Sequence, residues 1–346
     1  MRRRVRGVAA VGVGFGVGAL AVRRRRVAER APAVTSAVPA PVGRPGTVTT
    51  QDGLSLAVVE HGTQDDPSAT VVLAHGYVQS SALWSGQVRD LLEARPDLRV
   101  VVYDHRGHGR SDRTPRERAT IAQLGRDLAR VVEAVAPTGP VVLVGHSMGG
   151  MTLMALAEQH AELVADRVVA AAFLGTSAGG LSSVTYGLPA PVAKVLRRAL
   201  PKANERAVRT ELAGRPRRVG ALDAWLVFPR GADPALVDRT LEVHRGCSAE
   251  TVAAFAATFA DHDRQHALAA LAAAQTLVVV GDRDVLCPVG HSRALAAALP
   301  GSELVVYPGV GHMVHLERRA EVSRALVSLV DRALSRPLAP RRSALS

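Results

Sequence analysis

Aromatic residues are scarce in this chain: Phe, Trp and Tyr together make up 3% of its 346 residues. Proteins that bind single-stranded nucleic acid stack bases on aromatic side chains set among basic ones, and no segment here has that pattern. Cysteine is scarcer, with only Cys247 and Cys287. Two thiols cannot staple a small disulfide scaffold; they are expected to be unpaired, although export would allow them to join. Lysine is nearly absent as well, Lys194 and Lys202 being the only two among 43 basic residues. That bias fits genomic base composition better than a demand for bidentate anion binding.

Acidic residues are also short, 31 against those 43, which leaves a net charge of +12 with His neutral. Such an excess points to nucleic acid or an anionic membrane only if it is spread over the fold. It is not. Residues 1–30 carry nine arginines and one acid, for +8, and residues 331–346 carry +3. The 300 residues between them hold +1, of which +7 belongs to residues 194–218 and about −6 to the remainder. A nucleic acid partner is therefore not expected.

Residues 7–22 form a sixteen-residue uncharged run between two arginine clusters, with five glycines inside it. The run is just short of the roughly 17–25 residues that span a bilayer, and glycine weakens its helix. The leader, residues 1–30, reads as a membrane anchor or an export signal. The alternative is a disordered basic extension of a cytoplasmic protein. Prolines at 32, 39, 41 and 45 make residues 31–46 an extended linker, and residues 335–346 read as a frayed tail.

Between linker and tail the pattern is regular. Residues 47–50 and 54–60, separated by Asp52-Gly53, predict a hairpin. Short apolar runs at 70–74, 100–103, 141–144, 168–174, 277–280 and 304–307 predict buried strands. Helical periodicity falls at 83–94, 121–135, 148–160, 291–298 and 317–334. This alternation predicts an α/β fold: a mostly parallel eight-stranded sheet with helices on both faces. One interval breaks the rhythm, and about 178–272 reads as an inserted α-helical cap.

Gly145-His146-Ser147-Met148-Gly149 follows a strand and precedes a helix. In that setting G-x-S-x-G is a nucleophile elbow: a strained turn exposes the serine at the sheet edge, and the helix N-terminus faces developing negative charge. A nucleophilic serine needs a base, and the base needs an orienting acid. Gly281-Asp282-Arg283-Asp284 ends one later strand and Gly309-Val310-Gly311-His312 follows the next. Ser147, an Asp and His312 thus come in chain order at strand ends.

These motifs, with His75-Gly76-Tyr77 and the run Tyr103-Asp104-His105-Arg106-Gly107-His108-Gly109-Arg110-Ser111-Asp112, make residues 47–334 resemble the α/β-hydrolase superfamily, in its serine branch with a helical cap. The resemblance implies that Asp284 is the acid, with Asp282 as the alternative. It places oxyanion donors on the backbone N–H groups of Tyr77 and Met148. It implies a structural role for the Asp104–Asp112 loop, with Arg106 and Asp112 paired, and His146 is expected to buttress the elbow. His315 lacks the companions of a metal ligand, and neither metal nor cofactor is expected.

The resulting expectation is a hydrolase of carboxylic esters. The apolar insert, with Trp225, Phe228, Phe255 and Phe259, favours a lipophilic substrate, although cap helices also need apolar faces simply to dock. The basic run 194–218 is either a contact for an anionic membrane or a solvated helix face. Thioesterases, C–C bond hydrolases and perhydrolases share the triad and stay open. So does a catalytically silent, membrane-tethered binding protein, since fold does not settle function.

Overall fold

A computed structural model describes residues 41–335. The leader, and with it the expected membrane anchor or signal, lies outside the described residues, as does the tail from residue 336. No helix among the described residues is long and apolar enough to cross a membrane.

The chain opens with a hairpin, β1 (Arg44–Thr49) and β2 (Ser55–Gly62), paired antiparallel. Then come β3 (Thr70–Ala74), α1 (Ser85–Ala94), β4 (Arg99–Tyr103), α2 (Ile121–Val135), β5 (Val141–His146), α3 (Met148–Gln159), α4 (Ala161–Arg167) and β6 (Val168–Leu174). Four helices follow without a strand: α5 (Ala190–Leu212), α6 (Ala221–Val227), α7 (Pro234–Arg245) and α8 (Ala249–Ala256). The chain then returns to the sheet with β7 (Gln275–Gly281), α9 (Val289–Ala297), β8 (Glu303–Tyr307), α10 (Val314–Glu317) and α11 (Arg319–Leu334). The eight strands form one sheet in the order β1-β2-β4-β3-β5-β6-β7-β8, parallel from β4 to β8. β1 begins at Arg44, inside the stretch read as linker. Its Pro45 is tolerated because β1 is an edge strand, where a missing N–H need not break a ladder.

Strand alternation builds the core. Val72, Ala74, Val101 and Leu143 face one side, against Leu128, Val132, Leu153 and Leu156 of α2 and α3. Val71, Leu73, Val100, Val142 and Val144 face the other, against Val88 and Leu91 of α1 and Leu326 and Leu329 of α11. Both faces are covered, as a parallel sheet requires. α2 starts where Thr120 Oγ1 accepts the Gln123 N–H at 3.1 Å, an N-cap worth about 1 kcal/mol.

One expected contact is corrected. Arg106 does not pair with Asp112. Its fully buried guanidinium forks onto Asp127 (2.6 and 2.7 Å) and Asp52 (2.9 Å each), while Asp112 accepts the Ser55 N–H at 2.8 Å. A planar fork satisfies two carboxylates on opposite sides at once. Asp127 on α2 and Asp52 in the hairpin turn reach it only through the tertiary fold. The pairing ties the hairpin to the helical layer behind it.

Candidate active site

Ser147 sits between β5 and α3 with φ +53° and ψ −117°. For a residue with a Cβ this is a strained conformation that costs about 1–3 kcal/mol and persists only when the surroundings impose it. They do so here. The Ser147 N–H donates to Leu174 O (2.9 Å), and its carbonyl accepts from Thr176 Oγ1 (2.7 Å) and Met151 N (3.2 Å). The turn also needs small neighbours: a Cβ on Gly149 would lie 2.1 Å from Ala74 O, and one on Gly145 2.5 Å from Gly150 N. The half-buried serine therefore stands at the C-terminal edge of the sheet, at the head of α3.

Asp284 follows β7. Its Oδ1 accepts the N–H groups of Leu286 (2.9 Å) and Cys287 (2.8 Å), which leaves Oδ2 for His312 Nδ1 at 2.8 Å. Both side chains are almost fully buried. A carboxylate bonded to Nδ1–H leaves Nε2 of the ring as the basic nitrogen. Asp282 plays no part in that contact; its Oδ1 accepts the Gly309 N–H at 2.7 Å, beside Arg283.

The loop that carries His312 is held amide by amide. Gly311 N donates to Glu317 Oε1 (3.0 Å), and the N–H groups of His312 and Met313 both reach Val227 O (3.0 and 3.3 Å) at the end of α6. Burial pushes the Glu317 carboxyl up to about 7, against the opposing pull of the Gly311 N–H and His312. At the end of β6, a Cβ on Gly175 would lie 3.3 Å from Asp284 Oδ2 and 3.5 Å from His312 Nδ1. The neighbouring carbonyl of Leu174 holds Ser147, so Ser147, Asp284 and His312 converge on one patch. Asp284 and His312 are bonded directly, whereas no hydrogen bond between Ser147 Oγ and His312 Nε2 occurs among the described residues. Such bonds often tighten only once substrate is bound.

Tyr77 lies on the loop after β3. Its hydroxyl donates to Val252 O (2.5 Å) and its ring meets Phe259 edge-on at 5.1 Å; burial raises its pKa. The amides on either side are occupied, Gly76 N by Gln79 Oε1 (3.0 Å) and Val78 N by His108 Nε2 (3.3 Å). Among the described residues the Tyr77 N–H has no such partner, nor has that of Met148 in the first turn of α3. Val78 has φ +63°, an outlier for a β-branched residue, so this loop too is held under strain.

His146 is buried behind the elbow. Its Nε2 lies 2.9 Å from His312 O and its Nδ1 3.1 Å from Gln79 Oε1. His315 packs on Trp84 (ring centroids 4.6 Å) and on His146 (4.4 Å). Among the described residues no group of three His, Cys, Asp or Glu side chains could hold a metal ion. Cys247 and Cys287 are both free and buried, and burial pushes the Cys247 thiol up to about 12. An apolar wall runs through the site: Tyr77, Met148, Met151 and Cys287 from the sheet side cluster with Phe255, Phe259 and Leu181 from the insert.

Sequence reasoning missed Gln79, Glu317 and the carbonyl of Val227. Glu317 left a faint signal, an acid five residues after His312 at the head of the last helical pattern. Gln79 left none, and a backbone carbonyl cannot.

Comparison with known proteins places the fold. Residues 69–319 match a family model described as the alpha/beta hydrolase fold. A monoacylglycerol lipase of Mycolicibacterium smegmatis is 31% identical over 258 residues, covering 73% of this chain and 84% of that protein. A thermophilic esterase from Thermogutta terrifontis superposes with a TM-score of 0.67 at 26% identity, over 84% of this chain and 100% of that one. An esterase from Exiguobacterium antarcticum superposes at 0.69 with 22% identity, over 83% and 100%, and shares the fold.

Proposed function

The chain belongs to the α/β-hydrolase fold family, and on that premise we propose that it is a serine hydrolase of carboxylic esters, with lipophilic esters as its substrates. The observation that carries the reading is the 2.8 Å bond from His312 Nδ1 to a buried Asp284, beside a strained Ser147 at the same sheet edge. Ser147 Oγ attacks the ester carbonyl while His312 Nε2 takes its proton. Asp284 fixes the tautomer and stabilises the imidazolium. The N–H groups of Tyr77 and Met148 receive the tetrahedral oxyanion; losing one such donor typically costs about 2.7–4 kcal/mol. His312 passes its proton to the leaving alcohol, then activates a water that releases the acid from the acyl-enzyme. No step calls on a cofactor.

The apolar wall supports a lipophilic acyl group, since it adjoins both oxyanion donors. The exposed side of α5 supports an anionic lipid surface as the place of action. There Lys194, Arg198, Lys202, Arg206 and Arg209 run along the helix with one acid, Glu205, among them, and Val192 and Val195 near its start are 50% and 68% exposed. Each basic residue near such a surface adds about 1 kcal/mol of attraction. The ester-bond relatives support the reaction class: the Mycolicibacterium protein is named for monoacylglycerol and the Thermogutta protein is an esterase.

The test is an ester series of rising acyl length, with fluorophosphonate labelling of wild type and Ser147→Ala. Labelling confined to wild type, and turnover that favours medium or long chains, is the expected outcome. A folded wild type that does not label overturns the acyl-enzyme mechanism and leaves a binding protein. Turnover that falls with acyl length overturns the lipophilic assignment alone.

A further inference from the structure

His146 faces two acceptors at once. Its Nε2 lies 2.9 Å from the carbonyl oxygen of His312 and its Nδ1 3.1 Å from Gln79 Oε1. The amide orientation of Gln79 is set by its other contacts: Oε1 accepts the Gly76 N–H at 3.0 Å, and Nε2 points at Met313 Sδ at 3.4 Å. Flipping the amide would set two donors against each other at Gly76. A neutral imidazole has one N–H, so it can serve one of the two acceptors, and only an imidazolium could serve both. Burial holds His146 well below the ordinary histidine range, and the neighbouring His315 and His312 rings lower it further. His312 O has no other hydrogen-bond donor among the described residues, whereas Gln79 Oε1 already has Gly76. The Nε2–H form therefore leaves no acceptor empty, and it sets the Nδ1 lone pair against Gln79 Oε1.

These contacts join two parts of the site that are far apart in sequence. Gly76 precedes Tyr77, the residue assigned an oxyanion donor, and His312 is the assigned base. Between them run Gln79 and then His146, which is itself next to Ser147. We propose that His146, in its Nε2–H tautomer, is a positioning residue that keeps the His312 loop in register with the nucleophile by donating to His312 O, and that Gln79, through Gly76, does the same for the oxyanion loop. Neither side chain touches the reacting atoms. Their effect is on where Tyr77 N–H and His312 Nε2 stand, and a displacement of about 1 Å at such groups can cost on the order of 100-fold in rate.

This inference rests on the serine hydrolase reading, so the experiment scores the two separately. The reaction of Ser147 with a fluorophosphonate, together with kcat and KM for a soluble ester, is measured for wild type, His146→Leu, His146→Gln and Gln79→Met. A wild type that does not react defeats the parent reading. If wild type reacts, His146→Leu is expected to lose about 100-fold in kcat with KM little changed. His146→Gln, which keeps an N–H for His312 O, should recover about 10-fold of that. Gln79→Met, which removes the acceptor of the Gly76 N–H, should lower kcat in the same way through the oxyanion loop. A kcat within about 2-fold of wild type for either His146→Leu or Gln79→Met, or no recovery in His146→Gln, overturns the proposal. Nitrogen NMR of wild type is a measurement independent of any variant: a protonated Nδ1 on His146 overturns the tautomer assignment.

Discussion

α2 and α5 draw on similar residues, mostly Ala, Leu, Val and Arg, yet the fold uses them in opposite ways. In α2, ten of fifteen residues are buried, and its apolar stripe Ile121, Leu124, Leu128, Val131, Val132 and Val135 lies against the sheet and α3. In α5, one residue of twenty-three is buried, Ala193, and Val192 and Val195 stand in solvent. Helix propensity is satisfied in both. What differs is what the apolar positions meet: α2 presents them to the sheet and α3, whereas α5 carries an exposed basic side and Pro201 inside, and buries a single residue. The sheet layer is bound by packing, and the insert touches the site through a few contacts, chiefly Val227 O and the Phe255–Phe259 wall.

The contrast can be broken at several points. The largest effect is expected where the sheet edge carries chemistry. Asp284→Asn should lower kcat by about 10⁴ through the wrong histidine tautomer, while Asp282→Asn, whose side chain can still accept the Gly309 N–H, should stay within about 3-fold. Similar losses for both would mean that the acid has been misassigned. Next comes packing: Leu128→Ala in α2 should cost about 2–5 kcal/mol in denaturant unfolding, and Val195→Ala in α5 no more than about 0.5. Comparable values would erase the distinction between the two helices.

The smallest effect is a slope. Burial holds His108 and His315 down to about 3, against 6.5 when unperturbed. Between those values the unfolded chain binds protons that the folded chain does not. Stability should therefore fall on acidification by about 1.4 kcal/mol per pH unit for each such group. Glu317 works the other way. Raised to about 7 from 4.5, it keeps a proton in the folded chain across that window, so its contribution declines as pH rises from 4.5 to 7. The net acid loss should thus steepen below about pH 4.5. His315→Gln should remove one histidine's share of the slope, and an unchanged slope in urea unfolding from pH 6 to pH 4 would contradict the assignment.

Much of the sheet layer was legible beforehand because its signals are local. The runs 70–74 and 168–174 became β3 and β6 with the same limits, and 121–135 became α2. β-branched runs and amphipathic spacing are enough to mark elements that are buried on known faces. The Arg106 pairing was not legible: two of its possible partners, Asp52 and Asp112, lie on turns of equal polarity, and Asp127 is helical. Likewise the interval 178–272 could be recognised as a break in the alternation, but not as a particular arrangement of four helices. Its residues are only partly buried, and periodicity weakens when one face does not dominate.

For the site the division is similar. Ser147, an Asp after β7 and His312 in strand-end order follow from the chain itself, because a tight turn and a strand end are written in neighbouring residues. Between Asp284 and Asp282 the residues alone do not decide; the resemblance points to Asp284, and in the fold it is Asp284 that lies 2.8 Å from His312 while Asp282 turns to Gly309. The carbonyl of Val227 holds the His312 loop from 85 residues away, whereas Glu317–Gly311 and Gln79–Gly76 span only six and three residues and depend on how their own loops fold. A contact of that kind leaves no pattern in one sequence; it exists only once folding has brought its two ends within 3 Å.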